Sequence, residues 1–518
     1  MTKKKVVLIA PPNDFASNAN VTQFTLLLAP PLSILALGSY LSMHDVPIEL
    51  IDVQMDFGFG MTHAAEQLVA QRLAQYLYEQ IEEIAWIGIS QLSNATTGIV
   101  IAQEIHAALP DIPIIFGGYF PSSAYRSLLE EYPFITAIVR SDGEEAALAI
   151  SHSLEQGRSF LRDEIPNLAW LHNEKIYTTP VRPMAPGNLP ISDFTLLHNP
   201  SNYQIVNMMT ARGCPFQCNY CLESNMRPYA VHPPSWVDQQ LAHLEAEMPN
   251  DHVFIYDPIF GLSRKRTREM CQVLCERRFT YGVESRGDVL APDLVPTLRE
   301  TGIETIYLGI ESASEETLLR MNKASSTAQV QKYLTGTREI LKACFENDLT
   351  PVVGFMPGFP GDTEMDYQIT LEFVKDIRQL HDRVVAETGV MTGFALFTFY
   401  TKIYEGSSLA ERVAEDFPEA ILRSEPFIGE RSVFSPSPGL EMDVIQHYRN
   451  KIVQHGSYTP LTLERLWRYY SFSLNSFLAE HPELTNDEGV TMLGDYLRRF
   501  PQSYNAAAMM TQYDKSKN

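Results

Sequence analysis

The chain has 518 residues, of which 45% are hydrophobic and 20% are charged, as in ordinary globular proteins. Its 40 Lys and Arg against 63 Asp and Glu give a net charge of −23, which disfavours nucleic acid as a partner. No apolar run reaches the roughly 18–20 residues that a membrane span needs. Six cysteines in this length do not make a secreted disulfide scaffold. We therefore expect a cytoplasmic protein of about three domains.

Residues 1–155 alternate short apolar stretches with amphipathic ones. The predicted strands are KVVLIA (5–10), IELIDV (48–53), AWIGIS (85–90), IPIIFGG (112–118) and ITAIVR (135–140). Repeated β–α units with apolar strands indicate a parallel sheet that helices cover on both faces. This α/β pattern predicts a doubly wound, flavodoxin-like (Rossmann-type) domain whose ligand binds at the carboxyl ends of the strands.

Residues 156–204 change character. They predict a linker with a small hairpin that turns at Asn173 and Glu174, followed by the proline-rich stretch MAPGNLPISDF. The stretch is expected to be a linker with a little structure of its own.

A second alternating series fills residues 205–429. The predicted strands are YQIVNMMT, HVFIYD (252–257), TYGVES (280–285), TIYLGIES (305–312), TPVVGFM (350–356) and TGFALFTFY (392–400). Six β–α units predict a partial (β/α)6 version of the TIM barrel, with its active site at the carboxyl ends of the strands. Residues 430–518 predict a mainly helical region, which we expect to cover the barrel mouth. Its aromatics in WRYYSFSLNSF (467–477) are more typical of packing against the barrel than of a pocket lining.

Three cysteines follow the first predicted barrel strand in the sequence RGCPFQCNYC, at Cys214, Cys218 and Cys221. A disulfide would leave one thiol over, and structural zinc wants four ligands. Cys271, Cys275 and Cys344 lie in amphipathic helices, where buried cysteines are expected; Cys271 and Cys275, four residues apart, could face one metal. Three converging thiolates suit an iron–sulfur cube whose fourth iron stays open for chemistry.

The Cys-x3-Cys-x2-Cys loop, with an aromatic residue before its last cysteine, resembles that of radical S-adenosylmethionine (SAM) enzymes. Further segments resemble later strands of this superfamily, and the resemblance covers about 205–405. They are YLGIESASEETLLRMNK (307–323), VVGFMPGFPGDT and FTFYTKIYEGSSL, the last with some drift from the usual proline-glycine-threonine.

The resemblance implies a [4Fe-4S] cluster on Cys214, Cys218 and Cys221, with SAM chelated to the open iron. It places the backbone of Tyr220 near adenine, and Glu311 with Ser312 near the ribose. Glu284 and Arg286 face either the methionyl group of SAM or the substrate, unless they form a cross-strand ion pair. Asp257 is the candidate for the SAM amino group, because IYDPIFG stands where the family often has Gly-Gly-Glu. Gly354 is a further cofactor candidate, although Gly354 and Gly358 also read as turn glycines.

A flavodoxin-like domain before a radical SAM barrel resembles the cobalamin-binding class of these enzymes. The matching segments are APPLSILALGSYLSMHDVPIELIDVQ, IIFGGYFPSSA and AIVRSDGEEA. Paired glycines let a backbone approach a flat macrocycle. No Asp-x-His-x-x-Gly motif follows the first strand (PPNDFASNAN), so cobalamin is expected without a protein histidine on cobalt. The implied cobalamin contacts are Asp52, Gln54, Ser90, Ser93, Gly117, Gly118, Tyr119, Gly143 and Glu144. A degenerate domain that binds nothing or docks partners is the alternative.

Together these features imply a cobalamin-dependent radical SAM methyltransferase that uses a 5′-deoxyadenosyl radical and methylcobalamin to methylate an unactivated carbon, or phosphorus. One alternative is a non-methylating enzyme with the same cofactors, for cyclisation, ring contraction or rearrangement. The other is a non-enzymatic iron–sulfur redox or sensing module. A methylthiotransferase is disfavoured because its extra amino-terminal cysteines are absent. A small molecule or peptide is the expected substrate, and a flavodoxin or ferredoxin the expected electron donor.

Overall fold

The computed structural model describes residues 3–12, 29–58, 63–91, 96–162, 164–203, 205–424 and 430–470. Ser93, most of the stretch PPNDFASNAN and the chain after residue 470 lie outside the described residues. None of the helices within these ranges is long and apolar enough to cross a membrane.

The first sheet has seven strands, and its first five are mutually parallel. They are β1 Lys5–Ala10, β2 Ile48–Asp52, β3 Ile84–Ser90, β4 Ile114–Gly117, β5 Ala137–Val139, β6 Leu168–His172 and β7 Lys175–Thr178. The strand order is β2-β1-β3-β4-β5-β6-β7. The order of the first five is that of flavodoxin, which confirms the predicted fold class. The hairpin β6–β7 turns at Asn173 and Glu174, both with positive φ, and pairs antiparallel with β5. It therefore extends this sheet instead of standing apart.

Helices cover both faces of the first sheet. They are α1 Leu32–Met43, α2 Val53–Asp56, α3 His63–Tyr78, α4 Thr96–Ala108, α5 Tyr119–Ser123, α6 Tyr125–Glu131 and α7 Glu144–Glu155. Alternate residues of β1 show the arrangement, because Leu8 belongs to the core that includes α1 and α7, whereas Ile9 belongs to the core that includes α3 and α4. A strand buried on both faces must be apolar throughout, which explains the uninterrupted run of β1.

The second sheet carries the six predicted barrel strands, all parallel, in the order β8-β11-β12-β13-β14-β15. The strands of this half are β8 Val206–Met208, the short antiparallel pair β9 Ala211–Arg212 and β10 Ala230–Val231, β11 His252–Ile255, β12 Thr280–Arg286, β13 Ile303–Glu311, β14 Thr350–Phe355 and β15 Ala395–Thr398. Its helices are α8 Glu223–Met226, α9 Pro234–Glu247, α10 Arg264–Leu274, α11 Val295–Glu300, α12 Glu315–Arg320, α13 Thr327–Glu346 and α14 Glu364–Thr388. The open six-stranded arrangement confirms the partial barrel.

The end of the described chain combines strands and helices. A small antiparallel sheet of order β16-β18-β17 precedes two helices. The elements are β16 Lys402–Tyr404, α15 Ser408–Asp416, β17 Ile421–Ser424, β18 Glu430–Ser435, α16 Met442–Val453 and α17 Pro460–Tyr470. Between residues 430 and 470 the region is mainly helical as predicted, except for β18, which the sequence analysis did not foresee.

Helix α17 lies at the amino ends of the barrel strands. Arg465 is buried and donates hydrogen bonds to the hydroxyl groups of Thr350 at 2.9 Å and Thr392 at 2.8 Å. Tyr469 donates to the Thr280 hydroxyl at 2.7 Å. Thr280 and Thr350 are the first residues of β12 and β14, so this helix closes the base of the barrel. For α17 the expectation that the carboxy-terminal helices cover the mouth is wrong, and for the chain after residue 470 it lies outside the described residues. The expectation that the aromatics of this helix pack against the barrel holds for Tyr469.

Candidate functional site

A cavity of about 860 Å³ lies where the carboxyl ends of the two parallel sheets face each other. Its first-sheet wall includes Ala10, Ser90 and Gly117, the last residues of β1, β3 and β4. Its barrel wall includes residues of β8 and β12, Tyr256 directly after β11, and residues of the cysteine loop. Parallel α/β sheets bind ligands at this end because loops and helix starts gather there. The two sheets thus build one site together.

The cysteine loop leaves β9 and returns through β10. Cys214, Cys218 and Cys221 are reduced, partly buried thiols, and Cys214 and Cys221 line the cavity. Burial raises the pKa of Cys214. Gly213 has φ +77°, and a Cβ atom there would lie 2.3 Å from the carbonyl oxygen of Pro228. Only glycine allows the chain to enter the loop in this way.

Buried carboxylates fix the start of this loop. Asp257 accepts hydrogen bonds from the backbone of Thr210 and Ala211, at 2.8 Å for Ala211, and from the Thr210 hydroxyl. Glu223 accepts one from the backbone of Gly213 at 2.8 Å. Burial raises the pKa of Asp257 to about 6 even with these bonds. Asp257, a candidate for the SAM amino group, is therefore engaged with the protein and does not line the cavity.

The three thiols are partly buried in one loop, as ligands of one iron–sulfur cube would be. In the described part of the chain, no three His, Cys, Asp or Glu side chains are close enough to hold one metal ion. Ligands of an iron–sulfur cube bind three different iron atoms, so their sulfurs stand further apart than ligands of one ion. Cys271 and Cys275 do not face one metal, because Cys271 is buried and Cys275 is exposed.

A cationic network lies behind the loop. Arg286 places its Nη1 3.7 Å from the Cys218 sulfur and stacks on the Phe216 ring at 4.3 Å. Its Nε donates to Asp288 at 2.6 Å. Burial by itself would lower the pKa of Arg286, but Asp288 and its other anionic neighbours leave it raised. The guanidinium therefore stays charged beside the thiols. Arg286 pairs with Asp288, so the possible cross-strand pair with Glu284 does not form.

Glu311 and Lys323 form the next layer. Lys323 is buried and donates to Glu311 Oε1 at 3.1 Å, to the carbonyl of Gly309 at 2.7 Å and to the Tyr220 hydroxyl at 3.4 Å. Glu311 ends β13 with φ +70°, a conformation that costs free energy in a residue other than glycine and that often marks functional sites. Lys323 was not among the predicted site residues. The sequence signal that could have identified it is the lysine that ends the quoted segment RMNK.

The first-sheet wall is built from backbone and small side chains. Gly118 has φ +104°, and a Cβ atom on it would lie 2.2 Å from the carbonyl oxygen of Gln91. Ser90 donates to the Ser33 hydroxyl at 2.9 Å. Asp52 accepts a hydrogen bond from the Tyr203 hydroxyl at 2.9 Å, and burial raises its pKa to about 6. The predicted cobalamin residues on this wall are Asp52, Gln54, Ser90, Gly117, Gly118, Tyr119, Gly143 and Glu144.

An ion-pair hub joins the two walls. Asp142 pairs with Arg212 at 3.2 Å and with Arg227, and its second oxygen accepts a hydrogen bond from the backbone of Met184 at 2.8 Å. Glu144 pairs with Arg212 at 2.8 Å. Sequence reasoning found Glu144 but missed Asp142, Arg212 and Arg227, although Asp142 and Arg212 lie inside quoted motifs.

Four predicted barrel residues lie outside the cavity lining besides Asp257: Arg286, Glu311, Ser312 and Gly354. Ser312 is buried and lies 3.2 Å from the Thr370 hydroxyl. A Cβ on Gly354 would lie 2.0 Å from the Tyr307 hydroxyl oxygen. Close packing against Tyr307 explains Gly354 without a ligand. Glu284, in contrast, lines the cavity directly.

His232 is a cavity residue that the sequence analysis did not single out. Its ring stacks on Trp236 at 3.7 Å between centroids, and its Nδ1 is enclosed without a hydrogen-bond partner among the described residues. Burial, with Arg212 and Arg266 nearby, lowers its pKa to about 3. The ring is therefore neutral in the folded protein.

Comparisons with known proteins identify the barrel. Residues 208–374 match the model of the Radical SAM superfamily, which establishes a radical SAM domain. An uncharacterized methyltransferase of Pyrococcus horikoshii is 25% identical over 390 residues, covering 73% of this chain and 79% of that protein. An anaerobic magnesium-protoporphyrin IX monomethyl ester cyclase of Rubrivivax gelatinosus is 27% identical over 304 residues. That match covers 55% of this chain and 52% of the cyclase, so the chain spans about half of that relative.

Solved structures share the whole arrangement. The cobalamin-dependent SAM radical enzyme OxsB, with aqua-cobalamin and SAM bound, superposes with a TM-score of 0.68 at 14% identity, covering 100% of this chain and 75% of its own. The radical SAM methyltransferase TsrM from Kitasatospora setae, with cobalamin and a [4Fe-4S] cluster bound, gives 0.60 at 15% identity, covering 88% and 87%. At this identity the likeness concerns the fold. The folds predicted from the sequence are therefore confirmed in both halves of the chain, and the radical SAM domain is confirmed for residues 208–374.

Proposed function

We propose that this chain, a radical SAM protein with a flavodoxin-like domain before the barrel, is a cobalamin-dependent radical SAM methyltransferase. The supporting observation is the single cavity that the two parallel sheets share, with cysteine thiols on one wall and a close-approach glycine loop on the other. In this proposal the cluster and SAM supply a 5′-deoxyadenosyl radical and cobalamin supplies the methyl group. Every other task falls to the chain's own residues.

Cys214, Cys218 and Cys221 would hold the cluster. Asp257 and Glu223 keep their loop in place through its backbone amides. Arg286 keeps a positive charge 3.7 Å from the Cys218 sulfur, which stabilises thiolate charge there. Tyr220, Glu311 and Lys323, which are hydrogen-bonded into one unit, would bind SAM beside the loop.

The first-sheet wall would hold cobalamin. At Gly117 and Gly118 the backbone comes to the surface without side chains, as a flat macrocycle requires. Asp52, Gln54, Ser90 and Tyr119 provide polar groups around it. The one histidine among the described lining residues, His232, belongs to the opposite wall.

A second candidate function comes from the cyclase of Rubrivivax gelatinosus, which is 27% identical to this chain, whereas the methyltransferase relative is 25% identical. A non-methylating reaction, such as cyclisation, would use the same two walls. The two functions differ in the fate of the SAM methyl group, which a methyltransferase moves and a cyclase does not.

The test is to follow that methyl group. Protein reconstituted anaerobically with iron, sulfide and cobalamin is reduced in the presence of SAM that carries a deuterated methyl group, and cobalamin is analysed by mass spectrometry. We expect the label on cobalamin. Formation of 5′-deoxyadenosine with no label on cobalamin would instead favour the non-methylating enzyme. A small molecule or peptide remains the proposed substrate, and a flavodoxin or ferredoxin the proposed electron donor.

A further inference from the structure

Five carboxylates line the cavity, and four of them have a hydrogen-bond or ion-pair partner in the protein. Asp52 accepts a hydrogen bond from Tyr203, Asp142 pairs with two arginines, Glu144 pairs with Arg212, and Glu223 accepts a hydrogen bond from the Gly213 backbone. The side-chain carboxylate of the fifth, Glu284, has no hydrogen-bond or ion-pair partner among the described residues, although its backbone carbonyl accepts from the Phe260 amide. The arginines of the wall, Arg212 and Arg227, are already engaged with the hub. Glu284 is therefore the one carboxylate of this lining whose side chain has neither a hydrogen-bond donor nor an ion-pair partner among the described residues.

The position of Glu284 is deep in the barrel. The register aligns Asn207 of β8 with Phe254 of β11 and Gly282 of β12. Tyr256 and Glu284 lie two residues further on, on the same faces of their strands, because side chains alternate along a strand. Phe254 lies below Tyr256, with ring centroids 4.5 Å apart, and contacts Tyr469 of the base helix. The cavity thus ends on a small polar floor: Asn207, Tyr256 and Glu284.

This floor is separate from the cysteine loop. Arg286, which lies 3.7 Å from the Cys218 sulfur, is two residues further along β12, about 7 Å at the rise of a strand. The groups proposed to hold SAM, Tyr220 with Glu311 and Lys323, are likewise beside the loop. Glu284 faces the space beyond them.

The carboxylate is also in an unfavourable environment. Burial, with the nearby Asp257 carboxylate, raises the pKa of Glu284 to about 7. Asp257 carries the same sign of charge as Glu284. Its own oxygens accept hydrogen bonds from Thr210 and Ala211. A positively charged ligand group would relieve both the desolvation and the repulsion, and charge-assisted hydrogen bonds are roughly twice as strong as neutral ones.

We propose that Glu284 binds a cationic nitrogen of the substrate, a protonated amine or a similar group, on the floor of the barrel. The inference rests on the proposed function and names the chemical class of its substrate. The same ligand chemistry occurs in the amino group of SAM, so the experiment must separate the two sources. Substrate selection by Glu284 would leave the binding and cleavage of SAM intact.

The experiment measures the affinity of matched pairs of compounds by calorimetry on anaerobic protein loaded with cluster, cobalamin and SAM. Each pair shares one apolar body and differs in amine against alcohol: butylamine and butanol, phenethylamine and 2-phenylethanol, tryptamine and tryptophol. Work at about pH 8 keeps the carboxylate ionised and the amines protonated. The variants are Glu284→Gln and, as the matched control, Glu316→Gln, which removes an exposed carboxylate on α12.

We expect at least one amine to bind about tenfold or more tightly than its alcohol in the wild type and in E316Q, with the preference lost in E284Q. A tenfold preference corresponds to about 1.4 kcal/mol. In E284Q, SAM affinity and 5′-deoxyadenosine formation should stay within about twofold of the wild type. The absence of any amine preference in the wild type would overturn the inference, and this comparison needs no variant. Persistence of the preference in E284Q, or a loss of SAM affinity instead, would also overturn it. Failure of the wild type to form 5′-deoxyadenosine would count against the proposed function, not against Glu284.

Discussion

The two walls of the cavity are built in different ways. The first-sheet wall relies on the path of the backbone, with Gly118 held where no Cβ atom fits. The barrel wall relies on charged side chains and thiols that other side chains hold in place, such as the cysteine loop held by Asp257. The first wall should therefore be sensitive to added atoms, and the second to removed charges. Three substitutions test this difference.

The largest loss of stability is expected where the walls meet. Asp142→Ala removes the common partner of Arg212 and Arg227 and leaves two buried cations short of a counter-charge. Breaking a buried ion pair from one side costs about 3–5 kcal/mol. Chemical denaturation should show a loss of this size. Asp293→Ala, which removes an exposed partner of Arg264, should leave the free energy of unfolding almost unchanged. Equal effects of the two substitutions would contradict a structural hub at Asp142.

The next effect isolates the backbone of the first-sheet wall. Gly118→Ala places a Cβ atom 2.2 Å from the Gln91 carbonyl oxygen in a backbone region that favours glycine, and should cost about 1–3 kcal/mol. Gly117→Ala adds the same atom one residue earlier, at an ordinary 3.7 Å from the Val139 carbonyl oxygen. Thermal unfolding should separate the two variants clearly. If both unfold at the same temperature, the close approach at Gly118 does not constrain this wall.

The last effect is absent at neutral pH and appears as the pH falls. The folded protein protonates His232 only near pH 3, whereas the unfolded chain does so near pH 6.5. Its contribution to stability is fully present above about pH 6.5 and falls as the pH decreases, by about 1.4 kcal/mol per unit. At pH 5 the loss should be about 2 kcal/mol. His232→Asn should remove this part of the acid sensitivity, measured by denaturation at several pH values. An unchanged pH profile would show that the buried ring is not its source.

The sequence predicted the elements better than their partners. All five parallel strands of the first sheet and all six of the barrel were found, because strands buried on both faces must be apolar over their length. The cysteine loop was found because its ligands lie within eight positions of one another. The role of Asp257 was not, since it depends on a strand that lies 46 and 47 residues from the amides it binds.

Contacts between residues still further apart in the sequence could not be predicted either. Asp142 meets Arg212 and Arg227 across 70 and 85 residues, and Arg465 meets Thr350 across 115. No local pattern of charge encodes which arginine meets which carboxylate, so the hub and the base helix required the structure. The same holds for Glu284, because its lack of a partner becomes visible only when every other carboxylate of the cavity has been assigned one.

The central claim is that three thiols on the barrel wall hold a cluster with one iron open to SAM. Reductive cleavage of SAM tests it most directly: anaerobically reconstituted protein is treated with a chemical reductant, and 5′-deoxyadenosine is quantified. We predict turnover by the wild type and by Cys275→Ala, which alters an exposed thiol elsewhere, and none when Cys214, Cys218 and Cys221 are replaced by alanine. Equal nucleoside formation with and without the three thiols would contradict the claim.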